Sequence, residues 1–488
     1  MWRRCVCANP VSLDKRYPER QGSLVARASS LGVPMAKTVI EGGYVVPMTG
    51  RDVVVPDGVV AFQDDRLVYA GPPAGFEADG FAADRVVDAR GKAVLPGLVN
   101  THIHLIGAYL KGITEDVPGS AAAGLFNRAL PILAECRDPD DVYFGALAHA
   151  TEMVMTGTTT LVNTWHRETN IAPAVRDLGI RASLSEFLVE IGFGGLDAQT
   201  LDRPWRTDRL NRSLDAAEAL VETWHGKESG RITVRISPGG PGYMSMEGMA
   251  RSRELADRLG LGINVHMAEL PGETEFTQKL YGKRPVEIGM ETGVLGPDAI
   301  AIHCVFLNDA DVAMLAESGA TLSHTSYHVA KRGYFPPMDA VYPAGINVAL
   351  GSDWCSNDLW HYMRAAILVP RAQSGDVGLL SGYDALEMAT MGGARGLGMA
   401  DEIGSLEAGK KADVILVDVS RPWLTPIRME NFCSTLVYNA NGSDVTDVFV
   451  DGQPIVCDRT VVTIDWPEIA GQLQRRAERI WARAEKNF

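Results

Sequence analysis

Eight short apolar runs, at 98–104, 159–163, 181–186, 232–238, 263–268, 299–304, 320–325 and 347–353, recur with helical stretches between them. Strands that alternate with helices build parallel sheets, because each parallel strand needs a crossover to return the chain to the same edge. Eight such units predict an α/β fold, a closed (β/α)8 TIM barrel. With 488 residues, 46% of them hydrophobic, the chain has enough apolar material for a barrel of that size.

Barrels of this kind carry their chemistry at the C-terminal ends of the strands, so the polar residues found there are informative. The first run, Pro96-Gly97-Leu98-Val99-Asn100-Thr101-His102-Ile103-His104, ends in two histidines one residue apart. Residues i and i+2 of a strand share a face, so both imidazoles can reach one point. Later runs end in His266, His303, His324 and Asp353, so five of the ten histidines in the chain occupy such ends. Imidazoles with a carboxylate suit a borderline divalent metal such as zinc or ferrous iron.

Other function classes lack their signatures. There is no run of 18 apolar residues, which argues against a membrane protein. The net charge of −15 is spread along the chain, with no basic stripe for nucleic acid. Seven scattered cysteines without a C-x-x-C pair suggest neither a disulfide framework nor a zinc ribbon, and a reducing cytoplasm is the simplest location. No G-x-S-x-G elbow, P-loop or H-E-x-x-H is present. The H-x-E at His166-Arg167-Glu168 lacks the accompanying P-C-x-x-C.

The regions around the barrel divide by pattern. Residues 1–34, rich in arginine and without an apolar signal core, are expected to be a disordered extension. Short strands with turn residues in 35–95 and again in 401–465 are each too small to form a core. They are expected to pack as one discontinuous β-sandwich beside a barrel spanning 96–400. Residues 466–488 read as a helix, and docking on the chain's own barrel is the simplest expectation for it.

The motifs Pro96–His104, His266-Met267-Ala268-Glu269, Ala301-Ile302-His303-Cys304 and Gly351-Ser352-Asp353 with Ser356-Asn357-Asp358 resemble the amidohydrolase superfamily. Within it they are similar to the branch of cytosine and guanine deaminases, adenosine-type deaminases and triazine hydrolases. Binuclear members use a bridging lysine in mid-barrel. Here the only lysine between Lys111 and Lys279 is Lys227, before the fourth strand. The resemblance therefore implies one metal, zinc or ferrous iron, held by His102, His104, His266 and Asp353. It also implies hydroxide generated at that metal, with His303 binding the incoming oxygen, Asp353 accepting its proton and Glu269 protonating the ring nitrogen or leaving group.

The reaction so implied replaces an amino or chloro substituent on an N-heterocycle such as a triazine, pterin, purine or pyrimidine. The alternative is cleavage of a urea, amide or carbamate C–N bond. Loops after the strands offer Tyr109, Trp165, His166, Arg167, Tyr327, His328, Lys331, Arg332, Trp354 and Asn357 for contact with a small-molecule substrate, with Trp165, His166, Tyr327, His328, Trp354 and Asn357 the preferred set. His328 and Trp354 depart from the common family pattern, where an asparagine and a small residue are usual. Relatives are often homo-oligomers, but nothing in the sequence indicates a pairing surface.

Overall fold

The computed structural model describes residues 37–485 except 52, 78–79, 118–123, 192–204 and 355. The expectation for residues 1–34 lies outside the described residues. Before the barrel come β1 (Thr38–Val45), β2 (Val55–Gln63), β3 (Arg66–Gly71), β4 (Arg85–Asp88) and β5 (Lys92–Pro96). The barrel strands are β6 (Leu98–Ile103), β7 (Thr158–Trp165), β8 (Arg181–Leu188), β9 (Ile232–Val234), β10 (Ser237–Pro238), β11 (Ile263–Met267), β12 (Ala299–His303), β13 (Thr321–His324) and β14 (Val348–Leu350). After it come β15 (Val414–Asp418), β16 (Val445–Val450), β17 (Gln453–Cys457) and β18 (Thr460–Val461).

The barrel strands form two parallel sheets, one running from β6 through β7 and β8 to β9 and β10, the other from β11 to β14. Parallel bridges at Ile236–Ile263 and Ile103–Asp353 join them at both edges and close the ring. The expected fourth strand, 232–238, is interrupted: the Arg235 N–H donates to Leu184 O on one side, and the Ile236 N–H to Gly262 O on the other. This change of partner is the first of the two joints. Strands such as Ile263–Met267 and Ala299–His303 are buried along their whole length, as befits strands covered on both faces. Several of the helices around them start with side-chain caps, for example Asp138 accepting the Asp140 N–H ahead of Pro139.

The two flanking β regions join edge to edge. β5 pairs antiparallel with β15, from Lys92–Asp418 to Pro96–Val414, which makes one nine-stranded sheet. Phe62 on β2 packs edge-on against Phe449 on β16, ring centres 5.5 Å apart, although three strands separate them in the sheet order. The sheet therefore curls over a core of Ile40, Val60, Leu67, Val94, Val414, Leu416 and Phe449. Arg181, at the start of β8, ties this sheet to the barrel floor through Asp413 (3.0 and 3.1 Å) and Asp451. The last helix, Trp466–Ala484, lies on the helix Pro139–Met155 of the same chain, with Arg476 bonded to Asp141 at 2.9 Å. Among the described residues no helix is long and apolar enough to cross a membrane.

Candidate active site and metal centre

The ends of β6 and β14 are locked together by backbone and side-chain bonds. Asn100 accepts the N–H groups of His102 (3.2 Å) and Ser352 (3.1 Å), and donates to Ser352 Oγ (2.6 Å). The Asp353 N–H donates to His102 O at 2.9 Å, and the His104 N–H to Asp353 O at 3.2 Å. Gly351 permits this approach, since a Cβ there would lie 2.9 Å from His102 Cβ and 2.7 Å from Ser323 Oγ.

This arrangement brings His102 beside His104, His266 and His303, with ring centres 4.7, 4.9 and 5.3 Å away. Asp353 uses its two oxygens differently. Oδ1 lies 3.2 Å from His104 Nε2 and 3.5 Å from His102 Nε2, whereas Oδ2 lies 3.0 Å from His328 Nε2 and 3.8 Å from His303 Nε2. The ligand atoms of His102, His104 and Asp353 fall within 4.8 Å of one another, as do those of His102, His266 and His303.

The residues fit a divalent metal. Both ring nitrogens of His102, Nδ1 of His266 and both oxygens of Asp353 are buried without a hydrogen-bond partner. Buried polar atoms are normally paired, and leaving them unpaired is costly. Coordination would relieve that cost. His104 Nδ1–H donates to Thr164 O at 2.5 Å, which fixes the tautomer and leaves Nε2 with its lone pair. Burial pushes the His102 imidazole down to about 4, with His104 adding to the effect, and pushes His266 well below its usual range. Both are thus held neutral, the ligating form. For Asp353, burial favours the neutral acid, but His328, His102 and His104 outweigh it and hold the carboxyl well below its ordinary value.

Glu269 sits beside this cluster, buried two residues beyond β11. Its Oε1 accepts from Arg332 Nη1 (3.3 Å) and lies 3.8 Å from His303 Nε2, while Oε2 accepts from the Tyr243 hydroxyl (3.3 Å). Burial raises its pKa against the opposing pull of Arg332. His303 is oriented by Thr325, with Nδ1 and Oγ1 2.9 Å apart. Its Nε2 stands between Glu269 and Asp353. Ala268, His303, Cys304 and Asp353 all have positive φ, from +48° to +72°. Non-glycine residues held this way cost energy and cluster where geometry matters for function.

The remaining sequence candidates separate. A cleft opens beside the cluster, lined in part by His328, Arg332, Lys331, Trp354, Leu110 and Glu115. Trp354 lies over His104, ring centres 4.1 Å apart, and Trp165 packs edge-on against both, at 5.1 Å from each. His166 is half-buried, Nδ1 3.5 Å from Glu186 Oε1. Two expected substrate contacts lie elsewhere. The Asn357 amide is buried and engages Ser352 Oγ (3.1 Å) and Glu152 (3.4 Å), so it braces the end of β14. Tyr327 packs on Tyr362 and His361 and does not line the cleft. His324, at a strand end like the others, faces Phe335 with ring centres 4.8 Å apart and is absent from the ligand groups. Sequence reading missed Tyr243, which follows the loop Gly239-Gly240-Pro241-Gly242 at no diagnostic spacing, and Thr325, hidden beside the more conspicuous His324.

Residues 93–455 match the amidohydrolase family. A 5-methylthioadenosine/S-adenosylhomocysteine deaminase of Moorella thermoacetica is 36% identical over 447 residues, covering 91% of this chain and 99% of that one. A 5′-deoxyadenosine deaminase of Methanosarcina mazei is 33% identical over 454 residues, covering 92% and 99%. Among solved structures, an adenosine deaminase from Xanthomonas campestris with bound zinc is similar with a TM-score of 0.82 at 29% identity, covering 91% of this chain and 98% of that one.

Proposed function

The chain belongs to the amidohydrolase family, and from that premise we propose that it removes the 6-amino group of an adenine nucleoside modified at its 5′ position, with zinc as the metal. One observation carries the reading. The buried atoms of His102, His266 and Asp353 that lack partners converge beside Glu269, a buried carboxyl bonded to Arg332 of the cleft lining. The named activities of the relatives supply the substrate class and favour ring deamination over cleavage of a urea or amide.

His102, His104, His266 and Asp353 would hold the ion, which supplies Lewis acidity to a water molecule. The chain's own groups then handle the protons. Asp353 accepts the proton of the attacking water, and its Oδ2, facing His303 and His328, is the oxygen with that role. His303 Nε2 orients the oxygen from between Asp353 and Glu269. Glu269 gives its proton to the ring nitrogen next to the carbon under attack; the proton held by Asp353 then passes to the amino group, which leaves as ammonia as the C–N bond breaks, and the hydroxyl proton returns to Glu269 as the ring C=O forms. Trp165 and Trp354 wall the cluster off from water, which strengthens each of these interactions.

The test is product identification by mass spectrometry with zinc-loaded protein and 5′-deoxyadenosine, 5′-methylthioadenosine and S-adenosylhomocysteine. Exchange of the amino group for oxygen, with the 5′ arm retained, is expected. No turnover of any of the three, with turnover of an N-aryl urea or a chlorotriazine, would contradict the proposal.

A further inference from the structure

The cleft wall that follows directly on the His102/His104 pair is held from the far end of the sequence. Leu110 and Glu115 line the cleft, and Tyr109, just before them, is fully buried. The Tyr109 carbonyl accepts the Trp481 indole N–H at 2.9 Å, and its hydroxyl donates to Asp141 O at 2.7 Å. Space for the ring exists because residue 145 is glycine, where a Cβ would lie 2.7 Å from Tyr109 Cε2. Asp141 in turn accepts from Arg476 (2.9 Å) and Arg479 (2.5 Å) of the last helix.

These contacts divide into two kinds. The arginines fasten the helix Trp466–Ala484 to the helix Pro139–Met155, which accounts for its docking. Trp481 bonds the backbone near the far end of the 3₁₀ helix Leu105–Leu110. This segment is held internally by that helix and by turns at its two ends, Gly107 N–H to His104 O and Ile113 N–H to Leu110 O. Its other ties come from outside: Leu105 N–H to Asn163 Oδ1 at 2.7 Å, and Lys331 Nζ to Glu115 Oε1 at 3.2 Å from another part of the cleft lining. The last carbonyls of a helix have no partner within it, and at this end the Tyr109 carbonyl is met by the Trp481 indole.

We propose that Trp481 is a positioning residue for substrate binding: through the Tyr109 carbonyl it fixes the cleft wall that carries Leu110 and Glu115. The inference rests on the cleft being the substrate site. Trp481→Phe removes the donor and keeps an aromatic ring, whereas Arg479→Met weakens helix docking without touching that segment. In zinc-loaded full-length protein, amides of 105–115 should exchange with solvent about fivefold faster in Trp481→Phe, those of 139–155 staying as in the native chain. KM for the nucleoside should rise more than kcat falls. Arg479→Met should lower Tm and leave KM and the exchange of 105–115 as they were. Unchanged exchange at 105–115 and unchanged KM in Trp481→Phe, with only Tm reduced, would overturn the proposal. The exchange measurement decides it even if no nucleoside is turned over, an outcome that would instead defeat the deaminase reading.

Discussion

At the floor of the barrel Arg181 is buried with Asp413 and Asp451, and the trio leaves no buried side-chain atom unpartnered. At the rim, His102, His266 and Asp353 are buried as deeply, yet both nitrogens of His102, Nδ1 of His266 and both oxygens of Asp353 lack hydrogen bonds, and Asp353 is in a left-handed backbone conformation. Both clusters are anchored at the ends of barrel strands, the floor trio through Arg181 at the start of β8 with its aspartates on the curled sheet, and both place charge away from water. The floor spends its polar groups on one another and joins the barrel to the curled sheet. The rim keeps its groups for something the chain does not itself supply. Burial of charge alone therefore does not mark a site, and neither does an unpartnered buried atom alone, since His149 and His324 also have both ring nitrogens unpartnered; several such atoms converging on one point do.

Substitutions on either side should separate these roles. If Asp353 is metal ligand and proton acceptor as proposed, Asp353→Asn should lower kcat by about 10⁴-fold or more. Its zinc content should fall, and circular dichroism should show a folded protein. Glu269→Gln should lower kcat by roughly 10²- to 10⁴-fold with zinc retained, measurable as a normal metal content in an enzyme with little turnover. Arg181→Met should do the reverse: a loss of about 3–5 kcal/mol in urea unfolding, because two buried carboxylates lose their cation, with kcat of the folded protein unaffected.

A fourth, smaller effect sharpens the comparison through pH. Burial raises Glu273 from 4.5 to about 7, with Glu269 adding to the shift, while the N–H groups of Glu269 and Leu270 pull the other way. A raised carboxyl binds more protons folded than unfolded, so its contribution to stability is present below pH 4.5 and is lost as pH rises to about 7. The stability difference between the native chain and Glu273→Gln, followed by unfolding from pH 4.5 to 8, should decline over that window and level off above it. A flat difference would mean that the carboxyl ionises normally.

The barrel and its histidines were legible because both follow from short periodicities. Strand and helix alternate along the chain, and i, i+2 spacing puts His102 and His104 on one face. Strand-end position alone misled at His324, whose ring packs on Phe335, because it does not say which way a side chain turns. Asn357 and Tyr327 lie close in sequence to site residues, but their side chains serve the end of β14 and the Tyr362 contact. Tyr243 and Trp481 were beyond reach for a different reason. Each meets its partner through a contact 26 or 372 residues away in sequence, set by how loops and the last helix fold back on the rim.

The most direct test of the metal centre is zinc titration of chelator-stripped protein, with bound metal counted per chain in the native protein and in His102→Ala and His266→Ala. The account predicts one tightly bound ion per native chain and none of comparable affinity in either variant, with both variants folded. Equal zinc binding in all three proteins, or no tight binding in the native chain, would contradict it.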